Sequence, residues 1–285
     1  MKAAANNPWV IVSGSVAGRS HVQAEISCQD ASGWKALEHG WNLAVVSDGG
    51  GYSEAARSAS QFCVAEVLTK LPDLVSGQRW FRQGKLPSEE TWQALSSKLC
   101  AAIRLSLLEK QKLSRAPSQD WAATLIFSLF RVQGACVFHI GDGRAAARSS
   151  DGNWFPLMTP FKGELTNHTV FVHMDYWIRI PDAREARIFA RNISAVALLT
   201  DGCRHAAFKW NVRDDRTGRH SDPNQPHVDF FEPTFQSLRR LAGGGKPPEV
   251  LHQLWEKFLL EGTPALKSER DDKTMLFAFL LQPSP

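Results

Sequence analysis

The stretch Val45-Val46-Ser47-Asp48-Gly49-Gly50-Gly51 decides how this chain is read. An apolar run that begins at Leu43 reaches a carboxylate and at once meets three glycines. Such a run fits a buried strand ending in an exposed acid, beside backbone that is free to turn tightly. Taken alone, the Asp-Gly pair is ordinary turn chemistry. A carboxylate so placed also suits Mg²⁺ or Mn²⁺, which prefer oxygen ligands. The glycines do not complete a nucleotide P-loop, because the Gly-Lys-Ser/Thr ending is missing.

Working outward, three more acids stand in related settings. Val137-Phe138-His139-Ile140 runs into Gly141-Asp142, and Ile193 to Thr200 runs into Asp201-Gly202. Asp271 comes just before the apolar segment Met275 to Leu281. Strand ends far apart in sequence can meet at one edge of a sheet, and a crowded carboxylate cluster there calls for cations. Spacing alone leaves turn chemistry and a metal cluster both open.

Between these points the chain alternates strand and helix signals. Trp9 to Gly14 and Trp41 to Ser47 read as strands, with another extended segment ending near Asp30. From Ser53 to Leu71, apolar residues recur every three or four positions, which predicts a helix; Pro72 to Leu86 then reads as a loop. A second long helix is expected from Ser88 to about Lys112, with Ser88 as cap and Glu89 and Glu90 at its positive end. A meander follows over Ala122–Phe130, Ala135–Ile140 and Ala145–Arg148, turned at Ser150-Asp151-Gly152. Val170-Phe171-Val172 reads as a strand and Val212 to Val228 as an irregular surface loop facing substrate. Two short helices are expected at about Pro233–Leu241 and Pro248–Leu260.

Composition narrows the function classes. The 285 residues, 43% of them hydrophobic, can build a substantial core, and no low-complexity linker divides them, so residues 1–285 read as one domain with its core at about 8–283. The formal charge of +4 is spread rather than clustered, against a nucleic-acid footprint. No apolar run approaches the roughly 20 residues of a membrane span, and the first residues lack a signal core, so the expected location is the cytoplasm. Five dispersed cysteines without a Cys-x-x-Cys pair read as free thiols. The ten tryptophans read as packing residues rather than a binding platform.

In order along the chain, Cys28-Gln29-Asp30-Ala31, Val46-Ser47-Asp48-Gly49-Gly50-Gly51, Ala123-Thr124-Leu125, His139-Ile140-Gly141-Asp142-Gly143-Arg144, Leu199-Thr200-Asp201-Gly202 and Asp271-Asp272-Lys273-Thr274 resemble the metal-dependent PP2C-type (PPM) serine/threonine phosphatases. Gly18-Arg19-Ser20-His21 and Gly163-Glu164 with Asn167-x-Thr169-x-Phe171 are similar to the bacterial branch that lacks extra domains. The resemblance implies an α+β fold, a four-layer αββα sandwich of two mostly antiparallel sheets flanked by helices. It implies two Mn²⁺ or Mg²⁺ ions, with Asp48 bridging both, Asp201 and Asp271 completing the first site and the Gly49 carbonyl binding the second. Asp30 would act through metal-bound water, and Asp142 with Asp201 would hold a third, weaker ion. Two cations about 3.5–4 Å apart make hydroxide available near neutral pH for in-line attack on a phosphomonoester. The implied substrate is a phosphorylated protein, with the enzyme reversing a bacterial protein kinase, itself a candidate partner; the expected state is a monomer.

Departures from the family pattern carry their own expectations. Gln29 stands where many relatives have a Glu that binds the second metal, and Gly50 where animal relatives have a His that protonates the leaving group. His21 is the candidate replacement for that His. Glu25 stands where an Arg usually grips the phosphate, which leaves Arg19 as candidate. Asp272, often Asn in relatives, is expected to support Asp271. These departures give the alternative reading, a catalytically weak or inactive module of the same fold that binds phosphoproteins; a metal nuclease and a small-molecule phosphatase are the other readings.

Overall fold

A computed structural model describes residues 7–281 apart from 115, 162–168 and 214. Two five-stranded sheets, antiparallel throughout, form its middle. Chain order runs β1 (Trp9–Val16), α1 (Arg19–Gln23), β2 (Ala31–Ala36), β3 (Asn42–Ser47), α2 (Glu54–Ser76), α3 (Arg79–Arg82), α4 (Glu89–Leu113), β4 (Leu125–Arg131), β5 (Gly134–Ile140), β6 (Arg144–Ser149) and β7 (Trp154–Pro156). It continues through α5 (Tyr176–Arg179), β8 (Glu185–Phe189), β9 (Ile193–Leu199), α6 (Arg204–Ala207), β10 (Val212–Arg213), β11 (His220–Ser221), α7 (Val228–Gly243), α8 (Pro248–Glu261), α9 (Pro264–Ser268) and β12 (Lys273–Leu280). One sheet has the order β1-β12-β9-β6-β7 and the other β2-β3-β4-β5-β8.

The period-two alternation of the strands sorts their side chains into layers. In β3, Leu43 and Val45 face the helices α2 and α4, while Ala44 and Val46 face the opposite sheet. In β12, Met275, Phe277 and Phe279 pack under α7 and α8, while Leu276, Ala278 and Leu280 join the inter-sheet core. Ala135, Ala145 and Ala147 add further small residues between the sheets. The result is helices, sheet, sheet, helices, which is the expected four-layer sandwich.

Seven of the ten tryptophans are buried packing residues, whereas Trp34 and Trp210 are exposed. Trp41, Trp92 and Trp255 are fully buried, and their indole N–H groups donate to the carbonyls of Phe81 (3.1 Å), Val137 (2.8 Å) and Met275 (2.8 Å). All five cysteines are free thiols.

The long helices start where expected, and Ser88 caps as expected: Ser53 Oγ accepts from Ala56 N–H and Ser88 Oγ from Thr91 N–H. Five expectations need correction. Helix α2 runs through Pro72 to Ser76, because Leu71 before it and Val75 after it are both fully buried. Helix α7 likewise begins at Val228, with Pro233 inside it, because Phe230 and Phe231 are buried in its first turns. The extended segment near Asp30 begins after that residue rather than ending there. Val170–Val172 is not a strand; Val172 N–H alone meets Ala123 O, at 2.8 Å. The Val212 to Val228 segment holds the small hairpin β10–β11 instead of being irregular throughout. Gly163, Glu164 and Asn167 lie outside the described residues. Among the described residues no helix is long and apolar enough to cross a membrane.

Candidate metal centre

The acids gather at one edge of the sandwich because antiparallel pairing brings alternate strand ends together. Asp48 follows β3, Asp142 follows β5 and Asp201 follows β9. One carboxylate oxygen from each of these three lies within 4.8 Å of the others, and all three residues are partly buried. Both sheets contribute: β3 and β5 belong to one, β9 to the other.

Asp48 is held from its backbone. Its N–H donates to Thr124 Oγ1 (3.0 Å), its carbonyl accepts from Thr124 N–H (2.9 Å), and Ser47 Oγ donates to Thr124 O (2.6 Å). This is the physical role of the Ala123-Thr124-Leu125 segment. The glycines after Asp48 are required by close approach. A Cβ on Gly49 would lie 2.6 Å from Gln29 O, and one on Gly50 would lie 2.6 Å from the Phe171 ring. A histidine at Gly50 would require the Phe171 ring to move aside.

Charge crowding dominates the electrostatics. Burial, followed by the charges of Asp30, Asp201, Asp271 and Asp142, pushes the Asp48 carboxyl well above the usual carboxylate range. Burial and the neighbours Asp142 and Asp271 raise Asp201 to about 7, against a lowering pull from Arg204. Asp271 is exposed at the rim and is also raised, chiefly by desolvation, although its Oδ1 accepts from Asp272 N–H at 2.9 Å. The concentrated negative charge and all-oxygen donor set fit a hard divalent cation.

Asp30 sits behind this group. It is buried, and its Oδ2 accepts from Thr200 Oγ–H at 2.7 Å, next to Asp201 in sequence. Burial raises its carboxyl, with Asp272 and Asp201 adding to the rise and the Thr200 bond opposing it. Gln29 is turned to the backbone: Nε2 donates to Ser27 O (2.5 Å) and Oε1 accepts from Arg57 N–H (3.2 Å) in the first turn of α2.

His21 is buried, with Nδ1 2.7 Å from Asp272 Oδ1 and its ring edge-on to Tyr52 at 4.7 Å. Arg19 opens α1 and lines a separate cavity of about 230 Å³ with Ala17, Val22, Leu260, Lys267 and Lys273. Neither belongs to the three-carboxylate group. Sequence reasoning did not single out Glu269 and Arg204. The Glu269 charge raises both Asp201 and Asp271, and its place in the acid-rich run Glu269-Arg270-Asp271-Asp272 was the available signal. Arg204, three residues after Asp201, had no such signal.

Comparison with known proteins agrees with this architecture. A profile described as protein phosphatase 2C matches residues 17–254. The chain is 27% identical over 275 residues to "Serine/threonine-protein phosphatase 3" of Escherichia coli (strain K12), covering 95% of this chain and 98% of that one. Among solved structures, a bacterial serine phosphatase superposes with a TM-score of 0.55 at 14% identity, over 96% of this chain and 98% of that one. The serine/threonine phosphatase Stp1 from Staphylococcus aureus gives 0.54 at 15% identity, over 94% of each chain. At those identities the structures speak for the fold, and the profile match speaks for the family: the chain belongs to the protein phosphatase 2C family.

Proposed function

We propose that this protein phosphatase hydrolyses phosphoserine and phosphothreonine on proteins, using Mn²⁺ or Mg²⁺ held by Asp48, Asp142 and Asp201, with Asp271 and the Gly49 carbonyl completing the ligand set. The observation that carries the reading is the convergence of three carboxylate oxygens within 4.8 Å from the ends of three strands. Bound divalent ions would acidify water and neutralise charge on the phosphoryl oxygens. The chain's own part is to hold the acids rigid: Thr124 fixes Asp48, Thr200 fixes Asp30, and the Asp272 N–H fixes the Asp271 carboxylate. Asp30 faces Asp201 closely enough to feel its charge, so it is placed to orient water beside the ions.

His21 retains a second ring nitrogen beyond its Asp272 contact, and the proposal gives it the role of proton donor to the leaving group. The Val212 to Val228 segment, with its β10–β11 hairpin, follows the Asp201 loop and α6 and is the proposed substrate-facing element. A phosphorylated protein, among them a serine/threonine kinase, is the proposed partner. The non-catalytic alternative loses support, since Gln29 has a structural task and Asp48, Asp142 and Asp201 are all in place.

The test is hydrolysis of a phosphopeptide by purified protein with Mn²⁺ and with a chelator. Activity is expected only with the metal, and Asp48→Asn is expected to lower it by at least about a thousandfold, the scale of about 4 kcal/mol of transition-state stabilisation. The same variant should lose the rise in melting temperature that Mn²⁺ gives the wild type. A folded wild type that neither binds Mn²⁺ nor hydrolyses phosphopeptides would overturn the reading.

A further inference from the structure

The site holds two guanidinium groups as well as its carboxylates. Asp201–Cys203 forms one 3₁₀ turn and Arg204 opens α6 directly after it. With three residues per turn, positions i and i+3 eclipse, so Arg204 projects to the same side as Asp201. Its charge lowers the Asp201 carboxyl and is second only to burial in lowering Arg144, to about 10. Arg204 therefore stands within electrostatic reach of both the acid cluster and Arg144.

The Arg204 guanidinium is not fully satisfied by the protein, whereas Arg144 is anchored to backbone carbonyls. Among the described residues, Arg204 has no carboxylate within ion-pair distance; Nη2 lies 3.2 Å from His205 Nε2, and the buried Nε has no partner. Arg144 is 4% exposed, and its Nη1 donates to the carbonyls of Asp142 (2.5 Å) and Gly143 (3.1 Å). A buried donor without an acceptor, beside a second like charge, is costly unless an anion joins them. The planar fork of arginine matches tetrahedral oxyanions, on which it can place two parallel hydrogen bonds.

We propose that Arg204, backed by Arg144, grips the phosphoryl oxygens of the substrate. The inference rests on the phosphatase reading and supplies the phosphate contact that Glu25 cannot. Arg19 lines a different cavity.

Arg204→Gln and Arg204→Lys test it, with inorganic phosphate as the probe. Phosphate binding is measured by calorimetry in the presence of Mn²⁺, beside phosphopeptide KM and kcat and Mn²⁺ affinity. Arg204→Gln is expected to weaken phosphate binding and raise KM by about 10- to 100-fold, the scale of a hydrogen bond to a charged group. Mn²⁺ affinity should hold or rise, because a repelling cation has gone. Arg204→Lys should recover part of the loss, and it decides the matter if the Gln variant does not fold. Unchanged phosphate binding, or a parallel fall in Mn²⁺ affinity, would overturn the proposal, the latter marking Arg204 as structural support. If the wild type hydrolyses nothing yet phosphate binding still depends on Arg204, the anion site stands and the phosphatase reading falls.

Discussion

Asp272 is buried, and both its oxygens accept hydrogen bonds from distant parts of the chain. Oδ1 takes Gly18 N–H (2.8 Å) and faces His21 Nδ1 (2.7 Å), while Oδ2 takes Gln29 N–H (2.5 Å). One side chain thus ties the end of β1 and helix α1 to the loop before Asp30, all behind Asp271. The packing leaves no slack: a Cβ on Gly18 would lie 2.1 Å from Asp271 O. Removing one partner of such a buried group leaves the others unpaired. Asp272→Ala is expected to destabilise the protein by about 3 kcal/mol in urea unfolding, and to weaken Mn²⁺ binding through displacement of Asp271. Asp272→Asn, which keeps an acceptor, should cost less. The acids themselves were legible in sequence, since each stands beside glycine or another acid next to an apolar run. The His21–Asp272 pair was not, because its members are 251 residues apart and no local pattern joins them. Arg204 was hidden for the same kind of reason: its neighbours Asp201 and Arg144 meet only in the fold.

At the scale of elements, the contest between local propensity and burial accounts for most differences between expectation and structure. The strands β3, β9 and β12 were readable because their apolar runs are buried on both faces. Helix α4 was readable from its cap and its stripe. Pro72 predicted an end to α2, yet the helix goes on with Leu71 and Val75 inside the core. The lost hydrogen bond and ring clash remain as an internal cost, partly offset by the stiffer unfolded chain. Pro72→Ala is therefore expected to stabilise the protein by about 2 kcal/mol, read as a higher urea midpoint with an unchanged m-value. Val170–Val172 shows the converse, since its strand-prone residues make a single hydrogen bond to Ala123 and no ladder.

Across the whole molecule, the four layers follow from alternation that sends one set of side chains to the helices and the other to the opposite sheet. Which strands would be neighbours was not legible, because antiparallel pairing between β1 and β12 joins the two ends of the chain. His139 on β5 is a consequence of full burial. It is 1% exposed, neither ring nitrogen has a hydrogen-bond partner, and the nearest acid, Glu185, is 3.7 Å from Nδ1. Burial, with Arg144 and Arg187 nearby, lowers its pKa to about 3. The unfolded chain would bind this proton below pH about 6.5 while the folded chain would not. Stability from this group is thus complete above that pH and is lost as the pH falls toward about 3, at up to about 1.4 kcal/mol per pH unit. Urea unfolding at pH 7, 5.5 and 4.5 should show His139→Leu with a shallower loss than the wild type.

The placement of the acids on both sheets has a mechanical meaning as well. Along most of their faces the sheets are drawn together by alanine and aliphatic contact, with Ala44, Ala145 and Ala278 allowing close approach. At one end, like charges from the two leaves confront each other, and the Thr200–Asp30 hydrogen bond crosses the gap between them. The sandwich resembles a book glued along its pages, with like charges set against each other at one corner. An ion lodging there would act as a clasp, so hydrogen exchange should slow first at the corner ends of β3, β9 and β12 when metal is added. Loading the site and stiffening that corner of the protein would be one event.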